Sequence, residues 1–423
     1  MGDWTTDSND ALTISLVRSE KDKLTAEDTN LVEFHPTFTY PIYGTDEKLY
    51  GYKDLLIDLR LASGSLRTYL NVSYSAKLPP PSPVDDAEAM LQKFLPEDFE
   101  TDLAKFNEYA EEDSLNFKPY GKKIYEYTKR ASGDADGEER QYEVWHAKFD
   151  TPGFAAYHRR MQLFILLYIE GGSYVDEDPA WEFVCLYEKR KRATPPSDSS
   201  DAPEPQHTYH FMGYSSLYPF YCFPSRVRLR LSQFVILPPF QHAGHGAALY
   251  TAIYTYVLAT PDVAELTVED PAEAFEDLRD RCDLRMLVAH ARFAGEAFGE
   301  GGLGGGVGPV RHGARAKGKG KAKARVGKLG PPVDKAWAEK WRAELKIAGR
   351  QFSRLVEMLQ LLHVDEADPR AWRAYRLQVK ERLYRFNFEV LMQLEKVERQ
   401  EKLEETFRSV CEDYRRILAM AKV

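Results

Sequence analysis

The chain has 423 residues, 43% of them hydrophobic and 13% aromatic, with a net charge of −9 at pH 7. That apolar content suffices for two or three packed domains and excludes a largely disordered protein. The acidic balance argues against sequence-specific or general nucleic-acid binding and suits a basic partner.

The four cysteines, Cys185, Cys222, Cys282 and Cys411, are scattered and form no CxxC pair. This pattern fits a reducing compartment and gives neither a disulfide framework nor a cysteine-rich metal site. No apolar run reaches the length of a membrane span, and the first residues are polar and acidic. Neither a membrane contact nor a signal or transit sequence is therefore expected.

Residues 1–30 read as a polar segment with one strand at 12–17. An N-terminal α+β domain is expected over 31–135. It holds an aromatic-rich stretch (Phe34, Phe38, Tyr40, Tyr43, Tyr50, Tyr52), strands at 55–61 and 70–74, and helices over 85–109 interrupted near Pro96. The aromatics suit a core. Thr45, Asp46 and Glu47 make an acidic turn among them.

A second domain is expected over 136–295. Strands at 122–128 and 141–149 should pair across an acidic turn at 133–137. A helix is expected near 157–163, then an apolar strand over 163–169 that ends at Glu170. Strands follow at 184–187, 208–214 and 220–223, with an exposed loop over 192–206 between them.

The stretch from 227 to 281 is the most informative. Residues 229–237 alternate and then run apolar, as a strand does when its end is buried. Pro238 and Pro239 stop that strand, since proline offers no amide hydrogen. Gln241, His242, Ala243, Gly244, His245, Gly246 and Ala247 follow, and then an apolar-periodic helix over 248–258. The glycines let the backbone turn tightly and approach a ligand. A helix that starts there points unpaired amides at the loop, a place that suits an anion. A strand at 265–268 ends at Glu269, Asp270 and Pro271, and a helix is expected over 273–293 with acids in its first turns.

Residues 296–332 form a glycine- and lysine-rich insertion, with eight Lys or Arg and no acid between 311 and 328. It holds too little apolar surface to order itself. Its Gly-Lys spacing is like that of a histone tail, and it also suits an import signal or a plain linker. Two long amphipathic helices are expected over 333–364 and 368–418, making a C-terminal helical domain over 333–423. Trp337, Trp341, Leu345, Phe352, Leu355 and Leu359 mark one apolar face. Trp372, Tyr375, Val379, Leu383, Phe386 and Val390 mark another.

The pattern Gln-x-x-Gly-x-Gly-Ala, behind a strand that ends in Pro-Pro-Phe, resembles the acetyl-CoA loop of the GNAT acetyltransferases. Leu231-Ser232-Gln233, Thr267-Val268-Glu269-Asp270-Pro271 and Leu278-Arg279-Asp280-Arg281 narrow this further. With them the chain resembles the type B histone acetyltransferase catalytic subunits, from about Phe34 to the last helices but not over 299–332. The resemblance implies an α/β (α+β) fold: a GNAT core with an N-terminal α+β domain and a C-terminal helical domain. It also implies acetyl-CoA as cosubstrate, a histone tail as acceptor, a WD40-repeat histone chaperone as partner, and work in cytoplasm and nucleus.

Acetyl transfer to lysine has one main obstacle. With a pKa of about 10.4, only about one lysine in a few thousand is neutral at pH 7, and leaving it charged adds roughly 4–5 kcal/mol to the barrier. A carboxylate that takes the proton removes most of this. Partial burial among apolar neighbours would suit such a group. Glu269 is the first candidate, with Asp270 to share the role or orient the amine. Glu170 matches a second acidic position of the family. Taken singly, a carboxylate at a strand end is equally a solvated cap.

The backbone from Gln241 to Ala247 would hold the pyrophosphate, with His242 and His245 contributing main chain only. The edge of Phe234, Val235 and Ile236 would pair with the pantetheine amides as an added strand does. Arg281 matches a family position that contacts the far end of CoA. Ala272 matches another, where no side-chain hydrogen bond is possible. Thr45, Asp46 and Glu47 would meet the histone tail. Trp181, Tyr218, Pro219 and Phe220 match positions that border the peptide groove, and core packing accounts for the aromatic ones equally. Transfer of this kind needs no metal and no acyl-enzyme cysteine. A histone-binding escort, or an acetyltransferase for another amine, remains as an alternative reading.

Overall fold

A computed structural model of the chain describes residues 4–19, 22, 31–130, 139–192, 207–299 and 327–423. The acidic turn at 133–137, nearly all of the loop expected over 192–206, much of the polar segment 1–30, and the glycine- and lysine-rich stretch 300–326 lie outside the described residues.

The first sheet holds strands β1 (Leu12–Val17), β2 (Leu31–Phe34), β3 (Leu56–Ala62) and β4 (Thr68–Ser73) in the order β2-β1-β3-β4. The β1–β3 pair is parallel and the others are antiparallel. Alternation sets the buried face: Ile57, Leu59 and Leu61 of β3 point inward, while Asp58 and Arg60 pair outside at 2.7 Å. Helices α1 (Ala87–Gln92) and α2 (Leu103–Asn116) follow, with the expected break between them. Asp86 and Asp102 cap them, accepting from the N–H groups of Ala89 and Ala104 at 3.0 and 2.9 Å.

Strands β5 (Lys122–Arg130) and β6 (Glu139–Lys148) pair antiparallel, as the sequence leads one to expect. Helices α3 (Phe154–Met161) and α4 (Leu163–Tyr168) come next, followed by β7 (Glu182–Lys191), β8 (His207–Cys222), β9 (Arg226–Ile236) and helix α5 (His245–Ala259). The sheet order is β9-β8-β7-β6-β5. One expectation fails here. The apolar run at 163–169 is a helix, not a strand. A run this short has no period of its own, so its surroundings decide. It follows α3 after the single residue Gln162, and Leu163, Phe164, Ile165, Leu166 and Leu167 are all buried, as suits a helix apolar all round. Glu170 therefore sits in the turn after a helix, ahead of Gly171 with its φ of +68°.

By internal contacts the chain forms two units. The first comprises 1–220 and 230–256, and the second comprises 221–229 and 257–423. The first unit's core joins β1 and β3 with α3, α4 and the inner faces of β7 and β8.

In the second unit, strand β10 (Val263–Val268) lies beside the opening residues of β9. The Val227 N–H donates to Asp262 O at 2.9 Å, and Arg228 pairs with Glu265 at 2.6 Å. Helices α6 (Glu273–Ala289), α7 (Ala291–Phe298), α8 (Lys335–Glu344), α9 (Gly349–His363), α10 (Pro369–Phe386), α11 (Phe388–Leu391) and α12 (Lys396–Ala421) complete it. The two long helices expected from periodicity are thus broken. The first stops before Lys346, which has a φ of +52° and donates from Nζ to the Val257 and Thr260 carbonyls at 2.9 and 2.5 Å. These are carbonyls at the end of α5, which need such a partner. The second breaks near Asn387, so Phe386 and Val390 of the expected apolar face stand 57% and 65% exposed. Trp337, Trp341, Leu345, Phe352, Leu355 and Leu359 are buried as expected. Both indole N–H groups, of Trp337 and Trp341, donate to Glu296 Oε2 at 2.9 Å. Buried Asp280 accepts from Gln351 and Arg354, each at 2.8 Å.

Candidate active site

Strand β9 brings the chain to the loop. Its last residues are fixed from β8, where an extra residue at Met212 shifts the register against β7. The Met212 carbonyl accepts from Leu237 N–H at 2.9 Å, and Ser215 Oγ donates to Gln233 O at 2.7 Å. A Cβ on Gly213 would lie 2.3 Å from Val235 O, so only glycine allows this approach. Val235 and Ile236 are buried and Phe234 is half-buried. Pro238–Phe240 form a single 3-10 turn. The Gln241 side chain then donates back to Ile236 O at 2.8 Å, which closes the turn.

The loop itself has two left-handed residues, His242 at φ +58° and Gly244 at φ +81°, before α5 begins at His245. Amides in that first turn have no carbonyl four residues back to bond. Beneath the loop, the His245 ring is 5% exposed and packs 4.6 Å from the Tyr142 ring. Its Nδ1 is hydrogen-bonded to Tyr127 OH at 2.7 Å. Burial, with the nearby Lys129 charge adding to it, pushes its pKa down to about 4, so the ring is neutral near pH 7. Lys129 donates from Nζ to the Ala243 carbonyl. Sequence reading missed Lys129, Tyr127 and Tyr142. Lys129 and Tyr127 lie 114 and 118 residues from their loop partners, and no local signal marks them.

Thr45 and Asp46 are exposed. Glu47 is engaged within the fold: its Oε1 accepts from Thr39 and Tyr40 N–H at 2.7 and 3.0 Å. Desolvation works to raise its pKa, but these amides and the Asn9 side chain outweigh it and hold the carboxyl below its usual value. The Tyr40 hydroxyl in turn accepts from Gly171 N–H at 2.6 Å, beside exposed Glu170. On β9, Gln233 Nε2 donates to Ser173 O at 2.9 Å. Hydrogen bonds thus tie Glu47 to Tyr40 and Tyr40 to Gly171, and separately Ser173 to Gln233, while the side chains of Thr45, Asp46 and Glu170 are exposed beside them.

Trp181, Tyr218 and Phe220 line up as a strip, with ring centroids 4.8 and 5.0 Å apart, and half-buried Pro219 lies between the last two in sequence. Arg230 covers Phe220 at 4.4 Å. Tyr218 OH donates to Asp178 Oδ2 at 2.8 Å. The Ala180 amide first, and that hydroxyl second, hold the Asp178 carboxyl below its usual range. Tyr218 and Phe220 are half-exposed to exposed surface, and Trp181 at the head of the strip is half-buried and also packs against the core.

In the second unit, Glu269 and Asp270 occupy the bend after β10, and Asp270 has a φ of +26°. Both are exposed, so the partial burial expected of a base is absent from the chain by itself. The strand ends one residue before Glu269, and the bend carries its carboxylate out of the apolar layer. Ala272 is the cap residue of α6: its carbonyl accepts from Phe275 and Glu276 N–H, and its methyl side chain makes no cap bond. Arg281 Nε donates to Asp277 O at 3.0 Å, one turn back on α6. Among the described residues no group of three or more His, Cys, Asp or Glu could hold a metal ion.

The family model described as histone acetyl transferase HAT1 N-terminus matches residues 4–170, and that described as fungal HAT1, C-terminal matches residues 322–365. A histone acetyltransferase type B catalytic subunit from Cryptococcus neoformans is 47% identical over 440 residues, covering 99% of this chain and 98% of that protein. This chain belongs to the type B histone acetyltransferase catalytic subunits. Relatives of the same name from Mycosarcoma maydis and Kluyveromyces lactis are 43% and 32% identical, covering 90% and 99% of this chain and 82% and 93% of their own.

As a member of the type B acetyltransferase family the chain is an enzyme that uses acetyl-CoA, and the loop residues fit that cosubstrate. A Cβ on Gly244 would reach to 2.6 Å from Lys129 Nζ, so glycine keeps the cradle open. First-turn amides, a neutral histidine below and an ammonium beside the loop together suit the pyrophosphate.

Proposed function

We propose that this chain transfers the acetyl group of acetyl-CoA directly to lysines in the N-terminal tail of newly made histone H4. The braced loop at 241–247, in a chain 47% identical over nearly its whole length to a named histone acetyltransferase, carries this reading. In the proposed reaction Glu269 accepts the proton of the lysine ammonium, directly or through water. The neutral amine attacks the thioester carbonyl, the carbon–sulfur bond breaks, and the proton that the nitrogen loses on becoming an amide passes, directly or through water, to the CoA sulfur, which leaves as thiol. Asp270 orients the amine, and Glu170 is the second acid.

Exposure of these carboxylates agrees with a site that the peptide itself would cover. Thr45 and Asp46 are the residues of their turn that remain open to a basic tail, because Glu47 is occupied with Thr39 and Tyr40. Trp181, Tyr218, Pro219 and Phe220 would border the peptide. Phe234, Val235 and Ile236 would meet the pantetheine, and Ala272 and Arg281 the rest of CoA. A WD40-repeat histone chaperone is the proposed partner, and cytoplasm and nucleus the proposed locations. The net charge of −9 supports a basic substrate.

Single-turnover acetylation of a histone H4 tail peptide from about pH 6 to pH 10 tests this. The rate should rise with pH as the lysine deprotonates. Cofactor binding without transfer would replace the enzyme reading with that of a histone-binding escort.

A further inference from the structure

Lys129 extends from β5 to the underside of the 241–247 loop. Its ammonium has three N–H groups, and the Ala243 carbonyl takes one. The direction of that bond matters. A carbonyl aimed into an anion cradle would repel phosphate, and Lys129 holds the Ala243 carbonyl toward itself. The same ammonium is the side-chain atom nearest to Gly244, 2.6 Å from where a Cβ would stand. Gly244, at φ +81°, is the last residue before α5, so the ammonium lies beside the helix end whose free amides and partial positive charge attract anions. His245 directly below is buried against Tyr127 and Tyr142 and is neutral, so it adds no charge there. Among the described residues, Lys129 is thus a cation held at this loop, half-buried and fixed by a backbone acceptor.

We propose that Lys129 is a cofactor-positioning residue, which fixes the loop through the Ala243 carbonyl and supplies the side-chain charge that draws the CoA pyrophosphate onto the backbone amides. This rests on the reading of the loop as the acetyl-CoA cradle.

The test compares two acetyl donors with the full-length enzyme and a histone H4 tail peptide. Acetyl-CoA carries the pyrophosphate, and S-acetylpantetheine has the same thioester without it. Native enzyme should prefer acetyl-CoA strongly in kcat/KM. In Lys129→Met that preference should fall roughly ten-fold or more, mainly through KM for acetyl-CoA. Lys129→Arg should keep most of it. The native preference should also shrink as salt rises, and that of Lys129→Met should respond less. An unchanged preference in Lys129→Met, with the native preference intact, would overturn the proposal and leave the cradle reading standing. Equal loss on both donors would make Lys129 a residue of general stability and also overturn it. A native enzyme without preference would remove the cradle reading and the proposal with it. Equilibrium titration with CoA and with pantetheine gives the same comparison without turnover.

Discussion

The loop at 241–247 stands on buried side chains, whereas Glu269 and Asp270 stand exposed at the end of a strand. The loop's groups proposed to hold the cofactor are backbone amides, and the loop is braced by Lys129, the His245–Tyr127 pair, Gly213 and the Gln241 return to Ile236. The two acids, in the proposed reaction, would work through side chains at an exposed bend. An anion cradle must exist before its ligand arrives, because its amides cannot be reoriented cheaply. A general base can wait for the substrate to exclude water from it.

Removing the base would break the comparison most sharply. Glu269→Gln should lower the single-turnover rate roughly 100-fold or more, and high pH should restore part of it as the lysine loses its proton unaided. Asp270→Asn should lose less. Equal rates for the native chain and Glu269→Gln would move the base to Asp270 or Glu170.

Acid should strike the braced half. Burial pushes His158 to about pKa 4 among Phe149, Phe154 and Phe183, and His245 likewise, where Lys129 adds to the effect. Each folded value lies below the unfolded one, so the unfolded chain binds more protons between about pH 4 and 6.5. The stability these groups retain above pH 6.5 should be lost as the pH falls toward 4, by up to about 3 kcal/mol for His158 and by less for His245, which solvent screens more. Urea denaturation at stepped pH reads the loss, and His245→Phe should flatten part of the slope. A flat profile for the native chain would show that neither ring is held neutral.

Gly244→Ala should raise KM for acetyl-CoA roughly ten-fold, because the methyl meets Lys129 and the left-handed backbone is strained. The smallest effect belongs to Glu47→Ala, which leaves two amides without their acceptor and should cost about 1 kcal/mol. Thermal unfolding should register it, and a much larger rise in peptide KM than loss of stability would return Glu47 to the substrate.

Much of the core was legible from period alone. Strand 12–17, the β5–β6 pair and the stop at Pro238 stand where the residues imply, whereas the helix expected from 248 already begins at His245, inside the expected loop. Failures came where a segment's surroundings decide. The run 163–169 is apolar on every side and says nothing of its period until α3 and the sheets enclose it. The helix break at Lys346 depends on carbonyls of residues 257 to 260, nearly ninety positions earlier. For the site, motif residues could be read, whereas their supports could not. Glu47 looks like a free acid in the sequence and is the acceptor for two backbone amides in the fold. Lys129 looks like one more strand lysine and touches the loop.

The second unit clasps together the two ends that flank the 300–326 stretch. The chain leaves α7 at Gly299 and returns at Gly327, where Lys328 N–H donates to Glu296 O at 2.9 Å and Leu329 N–H to Ala297 O at 3.1 Å. A Cβ on Gly327 would lie 2.2 Å from Ala297 O, so the returning strand of chain seats flush against the helix end. The two ends are already clasped, and the entropy of closing what lies between grows only slowly with its length. This makes the junction a natural port. A fluorescent domain, an affinity handle or a short glycine bridge could replace 300–326 there, provided Gly327 and the two amides behind it are left in place.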